Sequence, residues 1–384
     1  MVPGMGMKRT LETVWIEPLE PRQLLSAVEG LSPQQVRHAY GFDQVAFVQN
    51  IYQRNRRHHL TVKQTPVAAD GSGQTIAIVD AFHAPTLQND LAVFDNQFGL
   101  SAVDGYGNPV LTVAMPQGRP QVDTGWASEI TLDVEWAHAI APRAHILLVE
   151  SLSDSTDDLL KAIDFARHQK GVVAVSMSWG GNESPFDKGN NQYLTTPKGH
   201  IGGSGHKGGI AFVTSSGDNG EGASWPASSP NVLTVGGTAL KVDSQGNIQS
   251  EVGWSGSGGG TSTLERTTTP DIAYAADPNT GFAVYDSTAD QGDVGWQVVG
   301  GTSAGAPQWA ALIAIADQGR SYQGKTSLDT ATQAHRAIYS FPQDDFNDIL
   351  TGFNGTSTAG PGYDLLTGRG SPKAERVIRD LIGY

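Results

Sequence analysis

The chain contains no cysteine, which rules out disulfides, a thiolate nucleophile and Cys-ligated zinc. It does not fix the compartment, because export does not require disulfides. No run of 18 apolar residues occurs, so the sequence offers no transmembrane helix. Basic residues are few: 25 Lys and Arg stand against 39 Asp and Glu, a net charge of −14 and a pI near 5.0. That balance argues against a nucleic-acid partner. There is no HExxH pair, so zinc-peptidase chemistry has no ligand set. Neither an internal repeat nor a long linker divides residues 32–384. What is plentiful is Gly, 47, with 20 Pro, among 384 residues that are 38% hydrophobic. This composition fits a loop-rich globular enzyme better than a bundle or coiled coil.

Residues 1–31 read as an appendage. The stretch 1–13 is short and polar, with Lys8 and Arg9, and lacks the apolar region of an ordinary secretory signal. Residues 19–27, LEPRQLLSA, resemble a segment found near the start of some exported bacterial proteins. From Ser32 the character changes. Ser32-Pro33 starts a helix with Pro at its first position. Residues 75–80, TIAIVD, form an apolar β-branched run ending in an acid, the pattern of a buried parallel strand. Helices are expected over 86–98, 128–141 and 156–169, and strands over 145–149, 172–178, 210–215 and 232–235. This alternation predicts an α/β domain with a mostly parallel sheet, whose functional groups gather at the C-terminal ends of the strands.

The sharpest local signal is Gly300-Gly301-Thr302-Ser303-Ala304-Gly305-Ala306-Pro307, followed at once by an apolar helical run. It places Ser303 at a helix N-terminus, where free N–H groups favour an oxyanion; an ordinary N-cap fits the same position. Upstream, Ser128-Glu129-Ile-Thr-Leu-Asp133 sets two carboxylates four apart on one helical face. Such a pair repels unless a proton is shared, which gives one raised apparent pKa. A solvated acidic face is the plainer reading, but Trp136 continues the same face and the neighbours are apolar.

Together these segments resemble the sedolisin (serine-carboxyl peptidase) family, through a GTSxxxP signature shared with subtilisin-like enzymes and the ExxxD pattern. The HGTH-type motif of subtilisins is missing. The resemblance covers nearly all of residues 32–384. It implies a subtilisin-like three-layer α/β fold with a mostly parallel central sheet flanked by helices. The implied activity is that of a secreted, acid-acting serine endopeptidase forming an acyl-enzyme at Ser303. In that reading Glu129 is the general base, Asp133 orients it, and protein or peptide chains are the substrates. Asp218, in Ser215-Ser216-Gly217-Asp218-Asn219-Gly220, takes the place of an oxyanion-hole acid and must be protonated to donate; on its own it reads equally as a turn residue. Asp80 and Trp179 match members of an extended network around the triad. The 176–181 and 215–217 edges would line the cleft, and Gly258-Gly259-Gly260 supply permissive backbone.

Near the C-terminus, Asp348 and Asp364 form an all-oxygen set with the carbonyls of Ile349, Gly360 and Gly362. No EF-hand spacing is present. Alone this is a polar loop; the resemblance implies one structural Ca²⁺. Arg56-Arg57-His58-His59 reads as a solvated loop, and His138 points away from the Glu129 face. Many members of that family are made with a long prodomain, for which residues 1–31 are too few; the expectation is that the chain folds unaided, is assisted by a separate prodomain or chaperone, or has its true start further upstream. Two competing readings remain: a Ser-His-Asp subtilisin-like hydrolase, and a non-catalytic calcium-binding surface protein on the same scaffold.

Overall fold

The computed structural model describes residues 28–54, 60–290 and 293–384. The sequence 1–27, with the export-like segment, and the Arg56–His59 stretch lie outside the described residues. At the centre is a sheet of eight strands: β1 (Thr75–Ala81), β2 (Leu111–Ala114), β3 (His145–Ser151), β4 (Val172–Met177), β5 (Ala211–Ser215), β6 (Leu233–Val242), β7 (Ile248–Gly253) and β8 (Ile272–Ala275). Their order is β7-β6-β5-β4-β1-β3-β2, with β8 also paired to β6. Every pairing is parallel except β6 with β7.

Alternation along the strands feeds two cores. Ile76, Ile78, Ile146 and Leu148 face one layer, made by α2 (Leu87–Phe98), α3 (Thr124–Ile140), α5 (Gly305–Tyr322) and α7 (Ala374–Gly383). Ala77, Val79, Leu147 and Val149 face the other, made chiefly by α4 (Thr156–Arg167). The expected three-layer α/β arrangement is present. The first helix, α1 (Pro33–Ala39), opens with a capping box between Ser32 and Gln35. A short α6 (His335–Ser340) follows α5.

The catalytic-pattern helix α3 begins four residues earlier than its apolar pattern suggests, because the Asp123 side chain caps it by accepting from the Trp126 N–H. Helix α5 is buried from Gly305 to Arg320. Small residues let it thread the middle of the molecule. Two antiparallel ribbons that the sequence reading did not foresee pack outside the sheet: Ala46–Arg54 with Leu60–Ala68, and Phe282–Asp290 with Asp293–Val299.

Candidate active site

The C-terminal edge of the parallel strands gathers the chemistry. Asp80 ends β1, Trp179 follows β4, and Asp218 sits on the turn after β5. The turn Thr302–Ala304 leads Ser303 into α5, and α3 brings Glu129 and Asp133 across from one side. Ser303 is 9% exposed. Its hydroxyl donates to the Ser178 carbonyl oxygen at 3.5 Å; the half-buried Glu129 carboxyl is pushed up to about 7 by burial, with the Ser303 hydroxyl pulling it back and the charge of Asp218 pushing it up.

Behind Glu129 stand Asp133 and Asp80, both fully buried. Burial raises Asp133 well above the usual carboxylate range, reinforced by Asp80 and Glu129. Burial does the same to Asp80, reinforced by Glu129 and Glu150. The Ser178 hydroxyl tempers Asp133, but its proton goes to the Ser303 carbonyl oxygen at 3.2 Å. Both oxygens of Asp80 and both of Asp133 lack a donor among the described residues. Carboxyls this close, buried and without a cation cannot all ionise, so the array must carry protons of its own.

Asp218 is not an isolated turn residue. Its Oδ1 accepts from the Thr302 N–H at 2.7 Å and the Thr302 hydroxyl at 2.8 Å. The Thr302 Oγ1 in turn accepts from the Gly217 N–H at 3.0 Å. Oδ2 has no hydrogen-bond partner among the described residues and borders Gly301, where a Cβ would stand 2.6 Å away. One carboxyl oxygen is thus fixed by the nucleophile turn and the other is free for a ligand.

Trp179 directs its indole N–H to the Val79 carbonyl oxygen at 2.8 Å, bracing the strand that carries Asp80. It also lines a groove of about 570 Å³ with Trp126, Gly181, Phe186 and Trp225. A smaller groove of about 240 Å³ adjoins it, lined by Ser216, Gly217, Gly220 and Gly258. Part of the expected open edge is already occupied, since Gly181–Asn182 pairs with Ser224–Trp225. The glycines allow close backbone contact: a Cβ on Gly258 would lie 2.2 Å from the Ser216 carbonyl oxygen, and one on Gly259 2.0 Å from that of Leu365.

His138 is buried 3.1 Å from Asp95, facing α2 as its helical offset predicts. The sequence reading missed Glu150, which ends β3 directly opposite Asp80, and its partner His83. An acid closing an apolar strand was the available signal; only the strand register makes it a neighbour of Asp80.

The proposed cation ligands lie together at the far C-terminal loops. Asp348 accepts from the Gly362 N–H at 3.0 and 3.1 Å and from the Gln343 amide at 3.3 Å. Asp364 accepts from the N–H groups of Gly360, Leu366 and Thr367 and from the Thr367 hydroxyl. Ile349 packs its side chain with Ala359 and Leu366. Asp348, just after the Phe346–Asn347 strand, and Asp364, after the Gly360–Gly362 loop, are half-buried carboxylates whose hydrogen-bond donors are neutral, an oxygen set of the kind a hard cation prefers. No group of three or more His, Cys, Asp or Glu suited to a metal occurs among the described residues, so any ion would rely on backbone carbonyls.

A central parallel sheet, a serine opening a buried helix and carboxylates at the strand ends define a class. The subtilase family profile matches residues 124–338, and the chain belongs to that family. Within it, the chain's relatives are of the sedolisin type. It is 31% identical to kumamolisin of Bacillus sp. (strain MN-32) over 376 residues, covering 83% of this chain and 62% of that protein. It is 34% identical to sedolisin of Pseudomonas sp. (strain 101) over 177 residues, 38% of this chain and 28% of that one. The match to tripeptidyl-peptidase 1 of Dictyostelium discoideum is 25% over 84% of this chain and 57% of that one. The chain therefore spans about three fifths of the length of kumamolisin and tripeptidyl-peptidase 1. Among solved structures, Pseudomonas sedolisin, a serine-carboxyl proteinase complexed with two molecules of pseudo-iodotyrostatin, superposes with a TM-score of 0.70. Identity there is 23%, over 92% of this chain and 98% of that one, a likeness of fold.

Proposed function

We propose that this chain is a serine-carboxyl endopeptidase working on the acid side of neutrality. The observation that carries the reading is a serine hydroxyl at a buried helix start, close enough to a raised carboxyl to pull its pKa back, with two further buried acids behind that carboxyl. Ser303 Oγ attacks the peptide carbonyl while Glu129 takes its proton. Asp133, kept un-ionised by burial and by its acidic neighbours, donates to Glu129 and holds it in place. The oxyanion is met by the free Oδ2 of Asp218, which donates only while that carboxyl is protonated. Glu129 returns the proton to the leaving amine, and water then hydrolyses the acyl-enzyme by the same route in reverse.

The two proton requirements oppose each other. Glu129 must be ionised, so below about 7 activity rises with pH. The inner acids Asp80 and Asp133, raised by burial, must keep their protons, so activity falls at higher pH. The product is a bell whose top lies nearer neutrality than the resemblance alone implies. Ca²⁺ would be held by Asp348 and Asp364 with carbonyls of Ile349, Gly360 and Gly362; when bound it would tie the C-terminal loops to the core. Secretion and assistance by a prodomain belong to the same proposal and rest on the resemblance. A Ser-His-Asp mechanism has no support, since no histidine bonds to Ser303 among the described residues.

The test is cleavage of casein and of an unstructured peptide from pH 3 to 8, with product masses distinguishing internal from terminal cuts. Loss of cleavage in both Ser303→Ala and Glu129→Gln is expected. Full activity in Glu129→Gln would overturn the carboxylate mechanism.

A further inference from the structure

The carboxyl array does not end at Asp80. Asp80 and Glu150 are direct partners in the parallel pairing of β1 with β3, so their side chains leave the sheet on the same face. Both are fully buried. Glu150 differs from Asp80 and Asp133 in having donors. Its Oε2 lies 2.7 Å from His83 Nδ1, and its Oε1 accepts from the Ala84 N–H at 3.2 Å. His83 is itself 8% exposed, and its Nε2 lies 3.2 Å from a guanidinium nitrogen of the exposed Arg119. Guanidinium only donates. His83 Nε2 is therefore the acceptor, and Nδ1 carries the proton given to Glu150.

We propose that Glu150, held as a carboxylate by His83 and the Ala84 N–H, is a positioning residue that keeps the proton on Asp80 and so supplies the array with a donor. The groups facing Asp80 are Glu129 and Asp133 from α3 and Glu150 from β3; His83 and Arg119 stand behind Glu150. No cation touches Asp80 itself among the described residues. Beside a fixed anion, with no donor of its own, Asp80 is stable only as the neutral acid, and its O–H is then available to its carboxyl neighbours. Burial leaves Glu150 raised, and the bonds from His83 and Ala84 pull it back toward the ordinary range; those donors are what oppose its protonation. The array thus runs from the nucleophile to a basic residue at the surface.

The kinetic arm of the test rests on the peptidase reading; the spectroscopic arm does not. Infrared titration of the full chain follows the carbonyl stretch of un-ionised carboxyl groups as pH rises, with Asp80→Asn assigning the Asp80 contribution. In Glu150→Gln, which keeps the shape and removes the charge, that contribution is expected to vanish at a pH lower by about half a unit or more. His83→Ala is expected to move it the same way by less, because Glu150 then protonates more readily. Glu150→Asp, which retains the charge, should return it toward the parent. The descending limb of kcat/KM against pH should follow these shifts. Titrations of Glu150→Gln and the parent that superimpose would overturn the proposal. A shifted titration in a chain that cleaves nothing would leave the proposal standing and remove the peptidase reading instead. Should Glu150→Gln fail to fold, His83→Ala decides: no shift there is a negative result.

Discussion

In the proposed mechanism Ser303 and Glu129 handle one proton between them, so removing either should cost the same thing. Ser303→Ala and Glu129→Gln are each expected to lower kcat by about 10⁴-fold, and the double variant by little more, because groups that act as a unit do not add. Glu129→Gln should not unfold the protein, since it replaces a half-buried, raised carboxyl with a neutral amide. A melting temperature several degrees below the parent would show that Glu129 is structural instead. Asp218 offers a sharper probe. Asn there keeps an oxygen for the Thr302 N–H and hydroxyl and presents an N–H₂ whatever the pH. Asp218→Asn should therefore keep measurable turnover, whereas Asp218→Ala should lose about 10²–10³-fold in kcat. Equal loss in both variants would mean that the free oxygen does not serve the oxyanion.

At the level of elements, the reach of sequence reasoning follows from how local each cause is. The parallel strands were legible because both faces are buried, which makes them continuous apolar runs. The Glu129–Asp133 pair was legible because four residues is one helical turn. The Ser303 turn was legible because Gly300, Gly301 and Gly305 crowd it. The ribbon Phe282–Asp290 with Asp293–Val299 escaped notice because its partners are defined by pairing with each other outside the sheet. Glu150 beside Asp80 escaped because strand order, unlike strand identity, is set by tertiary packing. The nucleophile turn supplies its own prediction. Gly301 has φ of +132°, a region that side chains rarely adopt, and a Cβ there would press on Asp218 Oδ2. Gly301→Ala is expected to destabilise the fold by about 1–3 kcal/mol and to reduce kcat as well, because relief of the clash displaces Asp218. Denaturant unfolding and initial rates check this together; an unchanged kcat would detach Asp218 from the reaction.

For the whole molecule, the notable quantity is how much acid is buried and raised by its burial. Asp80, Asp133 and Glu135 are raised well above the carboxylate range by burial, as is Asp317 despite Arg320 nearby; Glu251 is raised by burial against three hydroxyl bonds. A carboxyl whose folded pKa exceeds its unfolded value of about 4 binds its proton more tightly when folded. Its stabilising contribution is complete below that unfolded value and is lost as pH rises toward the folded one, which for Glu129 is about 7. His335 has the same sign. Burial lowers it, but the bond to and charge of Asp271 prevail and leave it raised; its contribution is present below about 6.5 and fades as pH climbs through the folded value. His145 and His200, lowered by burial, act oppositely and weaken the fold as pH falls below about 6.5. They are two against a larger set. With a net charge of −14 already present at pH 7, further ionisation also adds self-repulsion. The melting temperature is therefore expected to be highest in weak acid and to fall by several degrees between about pH 5 and pH 8. Asp80→Asn, which cannot ionise, should flatten that slope. A melting temperature that is level or rising over this interval would show that these acids keep their ionised forms in the folded chain, and would remove the proton-holding array on which the catalytic reading depends.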